Sequence, residues 1–283
     1  MQADETSFVT GGPGFIAVAA SRLLAEVFGR VVAMDTLHPQ VHPAGDWPDA
    51  LGVRVERRRG DARSRRSWSE LLCDVRPDVV VHLAAETGTG QSLIEAASHA
   101  GVNVLGTAQM LDAPRSAEVR PQRIVPASSR AVYGEGSWQL KDGTSTYPPQ
   151  RTRASLAAGR WDFADASPTA MSAGLVEPRP ASVYGVAKLS QEGLLRVWAR
   201  AERVELAVLR LQNVYGPGQS IHDPYTGLFC ALLPTGGRRP AHSTLRRRPS
   251  SARFRLYRGR GERDCEVQNR CRYRRNADRY RVG

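Results

Sequence analysis

Residues 7–17 read Ser7-Phe8-Val9-Thr10-Gly11-Gly12-Pro13-Gly14-Phe15-Ile16-Ala17, and this stretch decides the fold. A short run suited to a buried strand enters a glycine-rich turn, and the turn opens a helical pattern. Gly11 permits the tight turn, Gly14 lets the backbone approach a pyrophosphate, and the small Ala17 allows helix and strand to pack closely. The helix N-terminus then offers oriented N–H groups to phosphate charge. Glycines at such a junction are also common as plain turns, so the rest of the chain has to separate the two readings.

Outward from the turn, short β-branched runs alternate with longer helical patterns. Strands are expected at about 7–10, 30–35, 53–57, 78–84, 123–128 and 206–211. Helices are expected over 14–28, 65–75, 91–113 and 182–201, the first with Phe15, Val18, Ala19, Leu23 and Val27 on one face. Apolar strands separated by helices are the pattern of a parallel sheet covered on both faces, which predicts an α/β, doubly wound, Rossmann-like domain over 1–217. Pro114-Arg115 is expected to end the third helix early, and Pro126 to remove a ladder bond from a central strand. Positions 135–181, rich in Gly, Pro, Ser and Thr, are too long for an ordinary connection and read as an excursion or lid.

Asp35 ends the second expected strand about 20 residues after the turn, where a carboxylate accepts both ribose hydroxyls of NAD and repels a 2′-phosphate. Gly60-Asp61 follows the third, where an acid can reach the adenine amino group. These positions favour NAD over NADP.

The chain has 283 residues and a formal net charge of +12. Residues 234–283 hold 16 arginines and no lysine against four acids, so the first 233 residues are neutral. A basic nucleic-acid surface spread over the fold is thereby excluded. The arginine-rich segment has few apolar side chains and no helical or strand period, and is expected to be disordered. Cys73, Cys230, Cys265 and Cys271 form no C-x-x-C pair, so neither a disulfide framework nor a metal site is indicated. No apolar run approaches a membrane span and no signal region opens the chain, which points to a soluble cytoplasmic product without a membrane partner.

Tyr184 and Lys188 stand four residues apart on the last expected helix. That spacing puts phenol and ammonium on one face, where Lys188 can lower the Tyr184 pKa toward neutrality and make a usable base. An amphipathic surface pair would have the same spacing. Ser129 adds to the catalytic reading, because it ends a strand whose C-terminal edge borders the ligand crevice of such a sheet.

The ordered set Thr10-Gly-Gly-x-Gly-Phe-Ile16, Asp35, Gly60-Asp61, His82-Leu-Ala-Ala85, Ser128-Ser129-x-x-Val-Tyr-Gly134, Tyr184-x-x-x-Lys188 and Leu209-Arg-x-x-Asn213-Val-Tyr-Gly-Pro217 resembles the extended short-chain dehydrogenase/reductase family, its NAD-dependent epimerases and dehydratases above all. Within it the chain is most similar to nucleoside-diphosphate-sugar 4-epimerases. Asp35-Thr-Leu-His-Pro-Gln40, Gln91-Ser92 and Tyr133-Gly-Glu-Gly136 look closest to the dTDP-L-rhamnose 4-epimerase branch. The resemblance implies NAD held by Gly11, Gly14, Phe15, Ile16, Asp35, Asp61, Ala62, Leu83, Ala84, Ala85, Asn103, Tyr184 and Lys188. It implies a nucleotide-sugar held by Gln91, Ser92, Ser129 and Asn213, and a homodimer as the assembly. Tyr184 would take the proton of the sugar 4-hydroxyl, Ser129 would hydrogen-bond that oxygen, and Lys188 would bind the nicotinamide ribose. Hydride would pass from C4 to NAD and return to the opposite face of the keto sugar.

A 4,6-dehydratase of this family carries an Asp-Glu pair directly after the residue matching Ser129, where this chain has Arg130-Ala131. That ranks the dehydratase below the epimerase, and Asp35 argues against a reductase with exchangeable NADPH. The resemblance runs from about residue 7 to about 233, with 218–233 as the remnant of a substrate region, and stops at Pro234. Such a change is what a shifted reading frame in a GC-rich gene would produce, so an NAD-binding protein with little turnover is the alternative. An arginine tail that binds nucleic acid is a third reading, with less behind it.

Overall fold

Alternation along the first strand, β1 (Gln2–Thr10), sets the two faces of the sheet: Phe8 turns to one side and Val9 to the other. The computed structural model describes residues 2–214 and Gln219. After β1 come α1 (Phe15–Val27), β2 (Phe28–Asp35), β3 (Val55–Arg59), α2 (Arg65–Val75) and β4 (Val79–His82). Next are α3 (Ala96–Ala100), α4 (Gly106–Ala117) and β5 (Arg123–Ser129). An excursion follows with β6 (Trp138–Leu140), β7 (Ser145–Thr146), α5 (Arg153–Ala157) and β8 (Ala166–Pro168), and then α6 (Val183–Glu202), β9 (Glu205–Leu206) and β10 (Leu209–Leu211).

The seven strands outside the excursion form one sheet in the order β10-β5-β4-β1-β2-β3, with β9 also on β5. All its pairings are parallel. The chain leaves β1 toward β2 and β3 and returns to β4 on the other side, so the direction of winding reverses between β1 and β4. Ligands of open α/β sheets bind at the carboxyl ends of the strands at such a reversal. One face buries Phe8, Val32, Met34, Val80 and Ile124 against Trp68 and Leu72 of α2, Met110 of α4 and Leu195 of α6. The other buries Val9, Val31 and Ala33 against α1 and Leu51. Among the described residues no helix is long and apolar enough to cross a membrane.

Helix α2 starts and stops where the sequence puts it, because the Ser64 side chain caps its N-terminus by accepting from Ser67 N–H at 3.2 Å. Helix α1 presents a different face from the expected one. Ala17 and Ser21 are buried against the sheet with Val18, Leu24 and Ala25 beside them, whereas Leu23 is 64 % exposed and Val27 45 %. Close approach of helix to strand selects small side chains for the inner row, and that row is invisible to a search for large apolar residues.

The single helix expected over 91–113 is four pieces: a short turn at Gln91–Leu93, α3, a π-helical turn at Gly101–Leu105, and α4. Pro114 does not end α4 early. It sits in the last turns, and the helix stops at Glu118 in the left-handed region (φ 51°), whose N–H returns to the Pro114 carbonyl.

Pro126 likewise leaves β5 intact and lies opposite His82 of β4. The Ile124 carbonyl faces Ala207 N–H at 3.0 Å, so Pro126, two residues on, turns its donorless nitrogen to the same side. There the neighbouring strand is interrupted between β9 and β10, so the donor that Pro126 lacks, as expected, falls at the break in the ladder. The excursion has its own three-stranded antiparallel sheet, β7-β6-β8. The expectations for the stretch 220–283, the disordered arginine segment included, lie outside the described residues, as do those for Tyr215–Gly218.

Candidate active site

Gly11 leaves β1 at φ +71°, and a Cβ there would lie 2.8 Å from the backbone nitrogen of Ala84. Only a bare backbone lets the turn pass so close to the end of β4. The N–H groups of Gly11 and Gly12 both point to the Met34 carbonyl, at 2.9 and 3.2 Å, which ties the turn to the end of β2. Asp35, the next residue, therefore stands beside the turn. Its Oδ1 accepts Leu37 N–H at 2.7 Å, while burial holds the carboxyl above its usual range despite that bond. Gly14 is the N-cap of α1 and no side chain caps it. An uncapped helix N-terminus beside a half-buried acid suits a diphosphate flanked by a diol.

A second group of residues meets at the carboxyl ends of β4 and β5. Ser129 ends β5, and its hydroxyl oxygen accepts Ala131 N–H at 3.1 Å, capping a short helical turn. Helix α6 packs on that turn so tightly that a Cβ on Gly185 would lie 2.6 Å from the Ala131 carbonyl oxygen. This approach sets Tyr184, in the first turn of α6, close enough to Ser129 for the serine hydroxyl to favour the ionised phenol. The Tyr184 backbone N–H donates to Ser92 Oγ at 3.1 Å, and its ring meets His99 edge-on with centroids 6.3 Å apart.

Lys188 corrects one expectation. Its Nζ, fully buried, donates to the Ala127 carbonyl at 2.8 Å and to Gln191 Oε1 at 3.0 Å. Burial lowers its pKa to about 8, with the charge of Glu192 opposing that shift. Tyr184 is not brought toward neutrality. Burial raises its pKa, and the hydrogen bond from Ser129 offsets this only in part.

Several other expected site residues are engaged within the protein. The Asp61 carboxylate turns to Arg63, which donates to it through Nε at 3.0 Å and Nη2 at 2.7 Å and holds its pKa low. Asn103 spends both ends of its amide on the backbone of Glu86, accepting its N–H at 3.1 Å and donating to its carbonyl at 2.9 Å. The π turn places it there and so fixes the loop after β4. Gln91 exchanges hydrogen bonds with Gln40 and donates to Glu95 at 2.7 Å. Ser92 donates to the Thr89 carbonyl at 2.8 Å while accepting from Tyr184, so it positions the tyrosine backbone. Ala62 is buried and accepts from Trp68 Nε1 at 2.8 Å. Leu83, Ala84 and Ala85 follow β4 half-buried beside the turn, as do Phe15 and Ile16 at the start of α1. Asn213, beyond β10, is exposed.

Two clusters carry the site and escaped the sequence reading. Glu192, one turn after Lys188, is 1 % exposed in its side chain and accepts from Ser128 Oγ at 2.5 Å, from Arg210 at 2.9 and 2.8 Å and from Arg196 at 2.6 Å. Burial disfavours its charge, yet the Arg210 and Ser128 hydrogen bonds hold its pKa below the usual value. Arg210 lies over the Tyr133 ring, with its guanidinium carbon 4.9 Å from the centroid. The other cluster runs Thr10, His82, Thr107, Gln191 through the core. The available signal was the helical spacing of Gln191 and Glu192 from Lys188.

Against known proteins, residues 7–159 and 162–233 match the NAD dependent epimerase/dehydratase family. Over 220 residues the chain is 51 % identical to a dTDP-L-rhamnose 4-epimerase of Burkholderia thailandensis, covering 78 % of this chain and 61 % of that protein. The chain thus spans less than two thirds of that relative's length. A solved UDP-glucose 4-epimerase of Thermus thermophilus in complex with NAD superimposes with a TM-score of 0.58 at 25 % identity, over 78 % of this chain and 59 % of the other. A UDP-glucuronic acid 4-epimerase of Bacillus cereus, in complex with UDP-glucuronic acid and NAD, gives 0.57 at 26 % identity, over 76 % and 59 %.

Proposed function

The chain belongs to the NAD dependent epimerase/dehydratase family, and on that premise we propose that it is a nucleotide-sugar 4-epimerase acting on a dTDP-linked deoxyhexose. The observation that carries the reading is the meeting of Tyr184 with Ser129 at the carboxyl end of β5, on the same sheet whose β1 ends in the uncapped turn into α1. The turn suits NAD: a bare Gly11 lets it pass against the Leu83–Ala84 backbone, the N-terminus of α1 is left without a side-chain cap for a diphosphate, and Asp35 stands beside the turn for the adenosine ribose. Bound there, NAD supplies the hydride acceptor and donor for the sugar C4.

The protein's own groups move the proton. As the phenolate, Tyr184 Oη accepts the 4-hydroxyl proton as the C4 hydride leaves, becoming the phenol, and returns that proton when the ketone is reduced on the other face. Ser129 donates to the reacting oxygen and holds it against Tyr184. Lys188 has two of its three protons on Ala127 and Gln191, and its third serves a ribose hydroxyl. Burial holds Tyr184 above its ordinary pKa, so the phenolate that the reaction needs is the minor form at neutral pH. The substrate class is drawn from the Burkholderia thailandensis relative.

The test is to incubate the full chain with NAD and dTDP-L-rhamnose in deuterated water and follow the sugar by proton NMR. A 4-epimer that keeps its C4 and C5 hydrogens supports the proposal. Deuterium at C5 would replace it with exchange next to the ketone, and loss of water from dTDP-glucose, which unlike rhamnose carries a 6-hydroxyl, in a parallel incubation would replace it with dehydration.

A further inference from the structure

Gln191 is 1 % exposed and joins two buried groups that lie far apart in sequence. Its Oε1 lies 3.0 Å from Lys188 Nζ and its Nε2 2.7 Å from Thr107 Oγ1. Thr107 Oγ1 is 2.8 Å from the Asn103 carbonyl and 3.4 Å from His82 Nε2, and His82 Nδ1 is 2.8 Å from Thr10 Oγ1, which accepts Ala84 N–H at 3.1 Å. The donors in this chain can be ordered. A carbonyl only accepts, so the Thr107 proton goes to Asn103 and its lone pairs receive Gln191 Nε2–H and His82 Nε2–H. His82 Nδ1 then accepts the Thr10 hydroxyl proton. Burial keeps His82 neutral down to about pH 3, which is compatible with a single ring proton. The amide of Gln191 consequently has one orientation, with its oxygen on Lys188.

We propose that Gln191 is a positioning residue: locked by Thr107, its amide oxygen fixes the Lys188 ammonium and ties it to the Thr10–His82 pair beneath the glycine-rich turn. The inference deepens the proposed function and rests on it for its catalytic consequence, which is that the turn and Lys188 are registered by one buried line of hydrogen bonds. The groups facing Lys188 are Gln191 and Glu192 of its own helix, the Ala127 carbonyl of β5, and His82 of β4. Of these, Glu192 is already occupied by Ser128, Arg196 and Arg210, so Gln191 and Ala127 supply the direct acceptors.

The chain contains two lysines, Lys141 and Lys188, and Lys141 lies on the surface, paired with Asp165. Lysine isotope-labelled at Cε therefore gives two NMR titrations, one of them an internal reference. With the full chain, Gln191→Met removes an acceptor of the charged form and is expected to lower the Lys188 pKa by about one unit. Gln191→Glu puts a carboxylate in its place and is expected to raise it by about one unit or more. Thr107→Val, which frees the amide to turn, should move Lys188 in the same direction as Gln191→Met, while Thr107→Ser should restore it. The Lys141 titration stays fixed throughout. A Lys188 titration that is the same in all four variants as in the unaltered chain overturns the proposal, even if the variants unfold more easily. Lack of epimerisation by the unaltered chain would count against the proposed function and leave this titration standing.

Discussion

The Cα of Gly11 and the backbone nitrogen of Ala84 come so close that a Cβ added to Gly11 would stand 2.8 Å from that nitrogen. Two strand ends, β1 and β4, thus share one wall of the crevice, and Gly11 also holds φ +71°. Gly11→Ala should destabilise the fold by about 1–3 kcal/mol through strain and displacement of the Leu83–Ala84 backbone. NAD affinity should fall more than tenfold by calorimetric titration, on the order of the displaced backbone contacts.

Removing the Tyr184 hydroxyl removes the proton acceptor and little binding surface. Tyr184→Phe should bind NAD as tightly as the unaltered chain and show no hydride transfer. Ser129→Ala should cost less, on the order of 10²-fold in rate. Equal losses of NAD affinity in both variants, read by calorimetry, would make the two residues structural.

Lys188 makes stability depend on alkaline pH. Its folded pKa of about 8 lies below the ordinary 10.5, so between these values the unfolded chain binds more protons and the folded state gains stability as pH rises. Compared with Lys188→Met, the unaltered chain should gain up to about 3 kcal/mol between pH 7 and pH 11. Urea unfolding at a series of pH values measures the difference, and a flat or falling difference would show that the ammonium is not held at a cost.

Glu192 and Arg210 form a buried pair with side chains 1 % and 8 % exposed. Glu192→Ala leaves the Arg210 guanidinium buried without its counter-ion and should destabilise by about 3–5 kcal/mol. The same substitution combined with Arg210→Met should recover part of that loss in a double-mutant cycle by urea unfolding.

Where the sequence spoke clearly, local chemistry and tertiary packing agreed. The glycine-rich turn, the strands that follow and α2 with its Ser64 cap are legible because each is fixed by residues close in the chain. The inner row of α1 was not, because Ala17 and Ser21 face the sheet by virtue of their small size. The break in the 91–113 helix was hidden for a different reason: the π turn serves a contact between Asn103 and Glu86 that no local pattern announces. Tyr184, Lys188 and Ser129 could be picked out by spacing and strand position. Gln191 reads as an ordinary polar residue on a helix, and only Thr107, 84 residues earlier, gives its amide a buried partner. The excursion's strands, two or three residues each, are too short to show a period.

The central claim is that Tyr184, set against Ser129, takes the proton of a sugar hydroxyl whose carbon gives hydride to NAD in the adjoining cradle. Its most direct test is a stopped-flow experiment: the NAD-loaded chain is mixed with an excess of dTDP-L-rhamnose, and the near-ultraviolet absorbance of reduced nicotinamide is followed from the first turnover, with Tyr184→Phe in parallel. The account predicts a transient absorbance in the unaltered chain and none in Tyr184→Phe at equal NAD occupancy. The same transient in both proteins, or none in an unaltered chain that holds both ligands, would contradict it.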